Sequence, residues 1–290
     1  MRFIYNFFLL ILKYNTKKME TIINCYDKPV RKLNTIYIGY DPREQDAVEV
    51  LQYTIEKYAT QPLNVVTLNQ LNLRRIGLYR RAPHMDSTCW GTKKDMYDYF
   101  DNRPLSTEFS FSRFLTPMLN QMEGYAVFMD CDMYFRSDPC ELFEFVKRPD
   151  QQKYAVWCVK HNYSHGGNLV RKMYGCPQTK YGKKNWSSVI VWNCSHPSNK
   201  NLTVDDVNTK DGTWLHQFSW LSDDEIGSIP EEWNFLDSHS DESIDAKNVH
   251  FTTGGPWFSN WKATRGKDIE YVDEWDQLKI TMKKSFNREV

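Results

Sequence analysis

Two carboxylates stand one residue apart at the end of an apolar run. Asp130 and Asp132 follow Ala126–Met129, and Cys131 separates them. Because side chains alternate along an extended backbone, both carboxylates can project to the same side at the carboxyl end of a strand. Hard oxygen ligands with open positions suit Mg²⁺ or Mn²⁺, which keep waters and substrate phosphates in their shells. The pair therefore predicts a metal clamp for a nucleotide diphosphate.

The same spacing has two other interpretations. Asp130 and Asp132 could end a strand in a solvated turn that binds nothing. They could also be the nucleophile and the acid of a phosphatase-type site, with Asp223 and Asp224 as its downstream magnesium pair. Such sites usually carry Thr or Gly soon after the second Asp, where this chain has Met133–Phe135. The phosphatase interpretation is therefore the least favoured of the three.

The elements that must position the pair alternate between strand and helix. Residues 35–41 read as a buried strand, residues 43–58 have helical spacing, and residues 63–68 read as a second strand. This order begins a parallel, doubly wound sheet, in which ligands bind beyond the carboxyl ends of the strands. We therefore expect Asp41 and the carboxylate pair at one edge. Residues 73–109 are polar, aromatic and turn-rich, which predicts a loop or a flap over the site.

Composition excludes some classes of protein. A chain of 290 residues with 41% hydrophobic content can bury the core of one large α/β domain. Lys+Arg and Asp+Glu both number 37, so no basic excess indicates a nucleic-acid partner. The seven cysteines are odd in number and lack a CxxC pair, which favours a reducing compartment over a disulfide framework. We therefore predict a cytoplasmic location.

The chain divides into a central domain and two terminal segments. We assign residues 32–265 to a single domain with a nucleotide half and an acceptor half, because no repeat or low-complexity linker interrupts them. Residues 1–31 are an N-terminal extension, and residues 266–290 are a C-terminal tail. The apolar run from Phe3 to Leu12 is shorter than the roughly 20 residues that a membrane helix needs. Any membrane association is therefore expected to be peripheral at most.

Five segments together carry a family pattern. They are Ile36–Asp41, Ser112–Phe114, Phe128–Asp132, Asn185–Asn193 and His250–Trp257. In this order they resemble nucleotide-sugar glycosyltransferases of the GT-A fold, and most closely family 8, which includes glycogenin and bacterial lipopolysaccharide galactosyltransferases. The resemblance covers the chain from about residue 35 to about residue 261. It implies an α/β fold of GT-A type, with a Rossmann-like mixed sheet flanked by helices.

The resemblance also implies a metal site and a donor site. Asp130, Asp132 and His250 are its implied ligands for Mn²⁺ (or Mg²⁺), and the imidazole favours Mn²⁺. Asp41 would contact the uracil or the ribose of a UDP-sugar, and Arg113 its phosphate or sugar. Glycines let backbone amides approach a diphosphate closely. The implied donor-binding residues are Asp41, Arg113, Asp130, Trp186, Ser187, Gly254, Gly255 and Lys262.

The chain departs from the family pattern in three places. Where the family commonly has a diphosphate-binding lysine, this chain has Gly255, which leaves Lys262 or Arg265 as substitutes. The family's Asn-Ala-Gly at the sugar site is represented by Trp186–Ser188, so the identity of the sugar does not transfer. The family's Asp-Gln is represented by His216–Gln217, which keeps the amide and loses the carboxylate.

The activity implied by the resemblance is that of a metal-dependent, retaining glycosyltransferase. It moves a hexose from a UDP-sugar to a hydroxyl of a glycan or glycoconjugate, with Gln217, Asp132 and Arg113 as catalytic residues. Gln217 aligns beside the anomeric carbon, and an amide cannot deprotonate the acceptor, so retention is expected. The rival is an inverting enzyme in which His216 is the base.

Two other functions stay open. A sugar nucleotidyltransferase would carry a Gly-rich, basic signature near the first strand, which Gly39–Arg43 does not supply. A non-catalytic glycan-binding or nucleotide-binding module of the same fold would use the many aromatic residues. An intact set of Asp130, Asp132 and His250 favours the enzyme over the module.

Overall fold

The apolar runs of the sequence form a six-stranded mixed sheet. The computed structural model describes residues 33–81, 83–85, 96–100, 102–162, 171–172, 176–177, 182–183, 185–259, 261 and 270–286. Apart from Leu33, these residues belong to one unit that spans Asn34–Val290. In their order across the sheet, the strands are β12 (Ile226–Ser228), β8 (Val156–Cys158), β11 (Val189–Asn193), β6 (Tyr125–Met129), β1 (Thr35–Gly39) and β2 (Asn64–Leu68).

Strand β1 lies between β2 and β6 and is parallel to both. All five of its residues are buried, as expected for a parallel strand that is covered on both faces. Ile38 pairs with Met129, so the chain leaves β1 and β6 at the same edge. Strand β11 runs antiparallel to β6, which makes the sheet mixed. The predicted strand, helix, strand opening and the mixed α/β sheet are both observed.

A second, three-stranded sheet begins where β6 ends. Its strands are β13 (Phe235–Leu236), β14 (Asn248–His250) and β7 (Met133–Phe135), in that order. Strands β14 and β7 are antiparallel, and His250 pairs with Met133. This register brings His250 next to Asp132, the residue that precedes β7.

Helices and short 3₁₀ turns connect the strands. The helices are α1 (Gln45–Tyr58), α2 (Gln70–Arg75), α3 (Thr116–Leu119), α4 (Cys140–Val146), α5 (Val204–Thr209), α6 (Gly212–His216) and α7 (Glu270–Phe286). The 3₁₀ turns are Pro42–Glu44, Ser112–Leu115, Pro149–Gln151, Trp186–Ser188, Pro197–Asn201, Asp223–Glu225 and Glu231–Asn234. Helix α1 packs against β7, where Thr54 Oγ1 accepts a hydrogen bond from the backbone N–H of Phe135 at 3.1 Å.

The region predicted to be a loop or flap contains regular structure of its own. It includes the last part of α2 and a three-stranded sheet of β3 (Pro83–Met85), β4 (Met96–Asp98) and β5 (Pro104–Leu105). A buried ion pair between Arg81 and Asp98 joins the start of this region to β4. Farther along the chain, β9 (Arg171–Lys172) pairs with β10 (Cys176–Pro177).

Helix α7 lies within the segment that the sequence assigned to a C-terminal tail. Its buried residues join a smaller core beside the second sheet, and they are Tyr271, Val272, Trp275, Leu278 and Met282. Lys279 forms an ion pair with Asp46 of α1 at 2.5 Å. Of the helices that the structure describes, none is long and apolar enough to cross a bilayer.

Candidate active site

The carboxylate pair occupies the turn between β6 and β7. The backbone N–H of Asp130 donates to Ser188 O at 2.9 Å, which ties this turn to the residue before β11. Cys131 is buried in the core between the two acidic residues. The backbone carbonyl of Asp132 accepts from the N–H of Phe251 at 2.9 Å. Both sides of the turn are therefore fixed by the strands that border it.

The structure brings Asp130, Asp132 and His250 together. One ligand atom from each of the three residues lies within 4.8 Å of the others. His250 Nε2 is 3.3 Å from Asp132 Oδ1. Asp132 Oδ1 is buried and accepts no hydrogen bond within the described part of the chain. A buried carboxylate oxygen that faces an imidazole nitrogen without a hydrogen bond fits a shared cation.

A directional chain of hydrogen bonds identifies the ring nitrogen of His250 that can bind a cation. Asn234 Nδ2 donates to Ser188 Oγ at 2.8 Å and to Asn185 O at 3.3 Å, so Asn234 Oδ1 faces His250. His250 Nδ1 lies 2.9 Å from this oxygen, which can only accept. In the neutral form of the ring the proton is therefore on Nδ1, and Nε2 presents a lone pair toward Asp132. Ligating histidines in metal sites are commonly held in this way.

Arg113 is buried against Asp130 instead of lying open to the surface. Its Nη1 lies 2.8 Å from Asp130 Oδ1 and donates to Ser187 O at 2.7 Å, and its Nε donates to Ser110 O at 3.1 Å. The guanidinium therefore orients one of the candidate ligands and balances its charge. Contact of Arg113 with a donor phosphate or sugar stays a prediction.

Asp41 follows β1 and has both carboxylate oxygens engaged. Its Oδ1 accepts from Arg43 N at 3.0 Å and from Arg43 Nε at 2.8 Å, and its Oδ2 accepts from Glu108 N at 3.1 Å. The side chain is fully buried. Asp41 therefore holds the turn after β1 to the segment around Glu108. Its expected contact with uracil or ribose stays a prediction.

Glu44 is a buried carboxyl beside the site that the sequence analysis did not identify. It is 1% exposed, and neither oxygen has a hydrogen-bond partner among the described residues. Burial, followed by the negative charges of Asp132 and Asp41, raises the pKa of Glu44 well above its usual value. The positive charge of Arg43 opposes this rise, and Asp130 adds to it. No spacing rule points to this residue, because its environment is created by packing.

His161 is a second histidine near the site that the sequence analysis did not identify. Burial, and then the positive charge that His250 carries when it is protonated, lowers the pKa of His161 to about 4, while a hydrogen bond with the Asn234 backbone opposes the shift. His161 is therefore neutral near pH 7. Its Nε2 is buried and has no hydrogen-bond partner in the part of the chain that the structure describes.

The residues predicted for the sugar side of the site lie together. Trp186 and Ser187 form a 3₁₀ turn after Asn185, whose φ of 63° is left-handed. Ser187 Oγ is 2.7 Å from His216 Nδ1, and the His216 ring packs edge-on against Phe114. These contacts fix the orientation of the His216 ring.

Gln217 follows α6 directly and is half-buried. Lys183 Nζ donates to Gln217 O at 3.1 Å, which fixes its backbone. A Cβ built on Gly182 would lie 3.2 Å from Gln217 Nε2, so the glycine leaves room for the amide. Trp186 Nε1 donates to His161 O at 3.1 Å, which connects the sugar side to the second histidine.

Gly254 and Gly255, which follow His250, are each required to be glycine for a different local reason. Gly254 has a φ of 99°, a conformation that favours glycine. A Cβ at Gly255 would lie 2.1 Å from the ring of Trp257, so packing on this ring requires a glycine there. A contact of either residue with a diphosphate stays a prediction. Lys262 and Arg265 lie outside the described residues.

The three-residue cluster fits a divalent cation. Two carboxylates and one imidazole match the ligand types of Mn²⁺, and of Mg²⁺ less closely because of the nitrogen. Three protein ligands leave coordination positions open for water or phosphate oxygens. The donor set therefore supports the predicted metal type without selecting one metal.

Comparison with solved structures shows the fold. The chain superposes on the bifunctional glycosyltransferase WbbM with a TM-score of 0.52 and 14% identity, covering 89% of this chain and 52% of WbbM. It superposes on the glycosyltransferase GlyE of Streptococcus pneumoniae TIGR4 with a TM-score of 0.50 and 11% identity, covering 89% and 64%. The chain thus spans about half of WbbM and less than two thirds of GlyE. The expected GT-A fold is confirmed.

Comparison of sequences shows the family. No protein-family model matches the chain. Protein CDI of Arabidopsis thaliana is 42% identical to it over 253 residues, which cover 86% of this chain and 85% of that protein. With this identity over most of both sequences, the chain belongs to the same family as Protein CDI.

Proposed function

We propose that this protein is a metal-dependent, retaining glycosyltransferase that moves a hexose from a UDP-sugar to a hydroxyl of a glycan or glycoconjugate. The cluster of Asp130, Asp132 and His250 carries the proposal, because its three ligand atoms lie within 4.8 Å at the carboxyl edge of β1 and β6. Nucleotides bind at this edge in open α/β sheets. WbbM and GlyE, which share the fold, are both named as glycosyltransferases, which supports a transferase.

Each residue at the candidate metal site has a defined role in the proposed activity. Asp130, Asp132 and His250 would hold Mn²⁺ or Mg²⁺, which neutralises the charge that develops on the departing diphosphate. Arg113 orients Asp130 through its 2.8 Å ion pair. Asn234 keeps the proton of His250 on Nδ1, so that Nε2 can bind the cation. Lys262 or Arg265 would add positive charge at the diphosphate.

Retention is supported by the surroundings of Gln217 and His216. Gln217 carries an amide, which cannot take the acceptor proton but can hydrogen-bond near the developing positive charge. The rival base, His216, has Nδ1 engaged with Ser187 Oγ and its ring packed against Phe114. These contacts hold the His216 ring beside Ser187, and we assign it the shaping of the sugar pocket with Trp186 and Ser187.

A panel of donors tests the proposal. The full-length chain is incubated with Mn²⁺, a pool of glycan acceptors and each common nucleotide sugar, and released UDP or GDP is measured. We expect release from a UDP-hexose and not from GDP-sugars. The non-catalytic module would bind a nucleotide sugar without releasing nucleotide, and that result would contradict the proposal.

The proposed location of the enzyme is the cytoplasm. It follows from the seven cysteines without paired spacing, which indicate a reducing compartment. Imaging of the tagged full-length chain tests it, and a signal confined to secretory compartments is incompatible with it.

A further inference from the structure

Glu44 is a buried acidic residue whose hydrogen-bonding capacity is unused. It ends the 3₁₀ turn Pro42–Glu44 and precedes α1, and its side chain does not cap that helix. Both of its oxygens are buried and lack a hydrogen-bond partner among the described residues. Leaving a buried polar group unpaired costs about 1–3 kcal/mol. A fold that retains such a group calls for an explanation in terms of a ligand or of strain.

The topology brings Glu44 to the candidate metal site. The chain leaves β1 and β6 at the same edge, and α1, which follows Glu44, packs against β7, which follows Asp132. The raised pKa of Glu44, to which the charges of Asp132 and Asp130 both contribute, agrees with this proximity. Glu44 and the Asp130–Asp132 turn are therefore neighbours within the fold.

The acidic residues around Glu44 differ in how their charges are balanced. Asp41 is bound by Arg43, and Asp130 is bound by Arg113. Asp132 has His250 as its nearest charged or basic partner, at 3.3 Å, and that imidazole presents a lone pair on the facing nitrogen. Among these four acidic residues, Asp132 and Glu44 are thus the two whose carboxyls are not paired with an arginine.

We propose that Glu44 positions the cation held by Asp130, Asp132 and His250, by accepting a hydrogen bond from a water molecule in the cation's coordination shell. Glu44 is not itself a ligand, because it lies outside the described set of ligand atoms within 4.8 Å of one another. Mn²⁺ and Mg²⁺ keep several waters when the protein supplies few ligands, so a water is available to donate. This inference rests on the metal site of the proposed function.

Replacement of Glu44 distinguishes a role in positioning the cation from a purely structural role in the core. Outer-shell partners of a metal site typically change metal affinity by about 10–100-fold. We therefore expect Glu44→Gln, which replaces one carboxyl oxygen by an N–H donor at nearly constant volume, to weaken Mn²⁺ binding to the full-length chain at least about tenfold. Isothermal titration calorimetry with Mn²⁺ alone measures this, without a donor and without turnover.

Glu108→Gln is the matched control. Glu108 also carries a partly buried carboxyl whose pKa is raised, first by burial and then by Asp41. Its backbone N–H binds Asp41, and its carboxyl lies outside the cluster of candidate ligands, so its replacement should leave Mn²⁺ affinity within twofold of the wild-type value. An equal loss in Glu44→Gln and Glu108→Gln would point to a general effect of replacing an acidic residue near Asp41 and overturn the inference.

Thermal melting in EDTA measures how the Glu44 variants affect stability when no metal is bound. Glu44→Met removes an unpaired buried carboxyl and should melt no lower than wild type without metal, whereas Glu44→Gln leaves an unpaired amide in its place and gives no such gain. Both variants should gain less stability than wild type from added Mn²⁺. Unchanged Mn²⁺ affinity in either folded variant overturns the inference and leaves the proposed function intact. A wild-type chain that binds no Mn²⁺ contradicts both.

Discussion

At the scale of residues, the site depends on buried side chains that orient the candidate metal ligands. Asn234 directs the Nδ1 proton of His250, and Arg113 holds Asp130. Each does so from a buried position, where a hydrogen bond is strong and its loss leaves an unpaired group. The candidate metal ligands therefore have their orientation set before any cation binds.

Replacement of Asn234 tests this orientation. Asn234→Ala removes the acceptor for His250 Nδ1 and should weaken Mn²⁺ binding by about 10–100-fold. Asn234→Asp keeps an oxygen toward His250 and should retain most of the affinity, because Ser188 Oγ can donate to it instead. Calorimetric titration with Mn²⁺ measures both variants. Equal affinity of Asn234→Ala and wild type would show that the network does not control His250.

Gln217 is expected to act during transfer and not in nucleotide binding. Gln217→Ala should slow transfer about tenfold or more, because it removes a group near the developing charge, while UDP affinity stays within twofold. Steady-state kinetics and UDP titration separate the two effects. Proton NMR of the first product from an α-linked donor should show an α-anomeric signal. A β-anomeric signal would instead support His216 as a base.

The lowered pKa of His161 predicts that the stability of the protein depends on pH. The pKa of its folded form is about 4, below the ordinary value of 6.5, so the unfolded chain binds the proton more tightly between these values. Its contribution to stability is therefore present above pH 6.5 and is lost as pH falls toward 4. Between pH 7 and pH 5 the loss is about 2 kcal/mol. Urea unfolding at both pH values should show a smaller decrease for His161→Gln than for wild type.

The sequence identified the residues whose chemistry is visible in their type and spacing. Asp130 and Asp132 follow an apolar strand, and His250 precedes a glycine pair, so family resemblance could reach all three. Asn234 and Glu44 could not be predicted, because burial and partner geometry give them their roles. Neither burial nor partner geometry can be read from the type of a residue or from its position in the sequence.

At the scale of elements, two strand pairings assemble the site. The parallel register of β1 and β6 brings Asp41 and Asp130 to one edge, and the antiparallel register of β14 and β7 brings His250 beside Asp132. The first agrees with the doubly wound sheet expected from the sequence, in which the carboxyl ends of the strands that precede Asp41 and Asp130 share one edge. The second joins strands more than a hundred residues apart, and no local pattern specifies it.

Helix α7 is expected to stabilise the second sheet and thereby His250. Trp275 is almost fully buried, and its ring lies 5.5 Å from that of Trp257. Trp275→Ala should lower the free energy of unfolding by about 3–5 kcal/mol, because it leaves a large cavity. Ile280→Ala is the control on the same helix, since Ile280 is 44% exposed and its loss should cost about 0.5 kcal/mol or less.

Urea unfolding of both variants measures the difference. Similar small losses for Trp275→Ala and Ile280→Ala would mean that α7 contributes little to the core. The assignment of residues 266–290 to a tail overlooked this helix. The spacing of Tyr271, Trp275, Leu278 and Met282 has helical periodicity and could have indicated it.

At the scale of the whole molecule, the GT-A fold explains why these elements meet. The sheet supplies an edge where parallel strands end, and the second sheet supplies the histidine from a distant part of the chain. Fold alone does not determine function, so the proposed function rests on the chemistry of the cluster. It requires a bound divalent cation for sugar transfer.

The most direct test is the initial rate of UDP release from the active donor, with Mn²⁺ and with EDTA. We predict a rate that falls to background in EDTA, returns when Mn²⁺ is restored, and is absent in folded Asp132→Asn at every Mn²⁺ concentration. Asp224→Asn, which alters an acidic residue away from the cluster, should retain the wild-type rate. Release that is equally fast in EDTA and in Asp132→Asn would contradict the account.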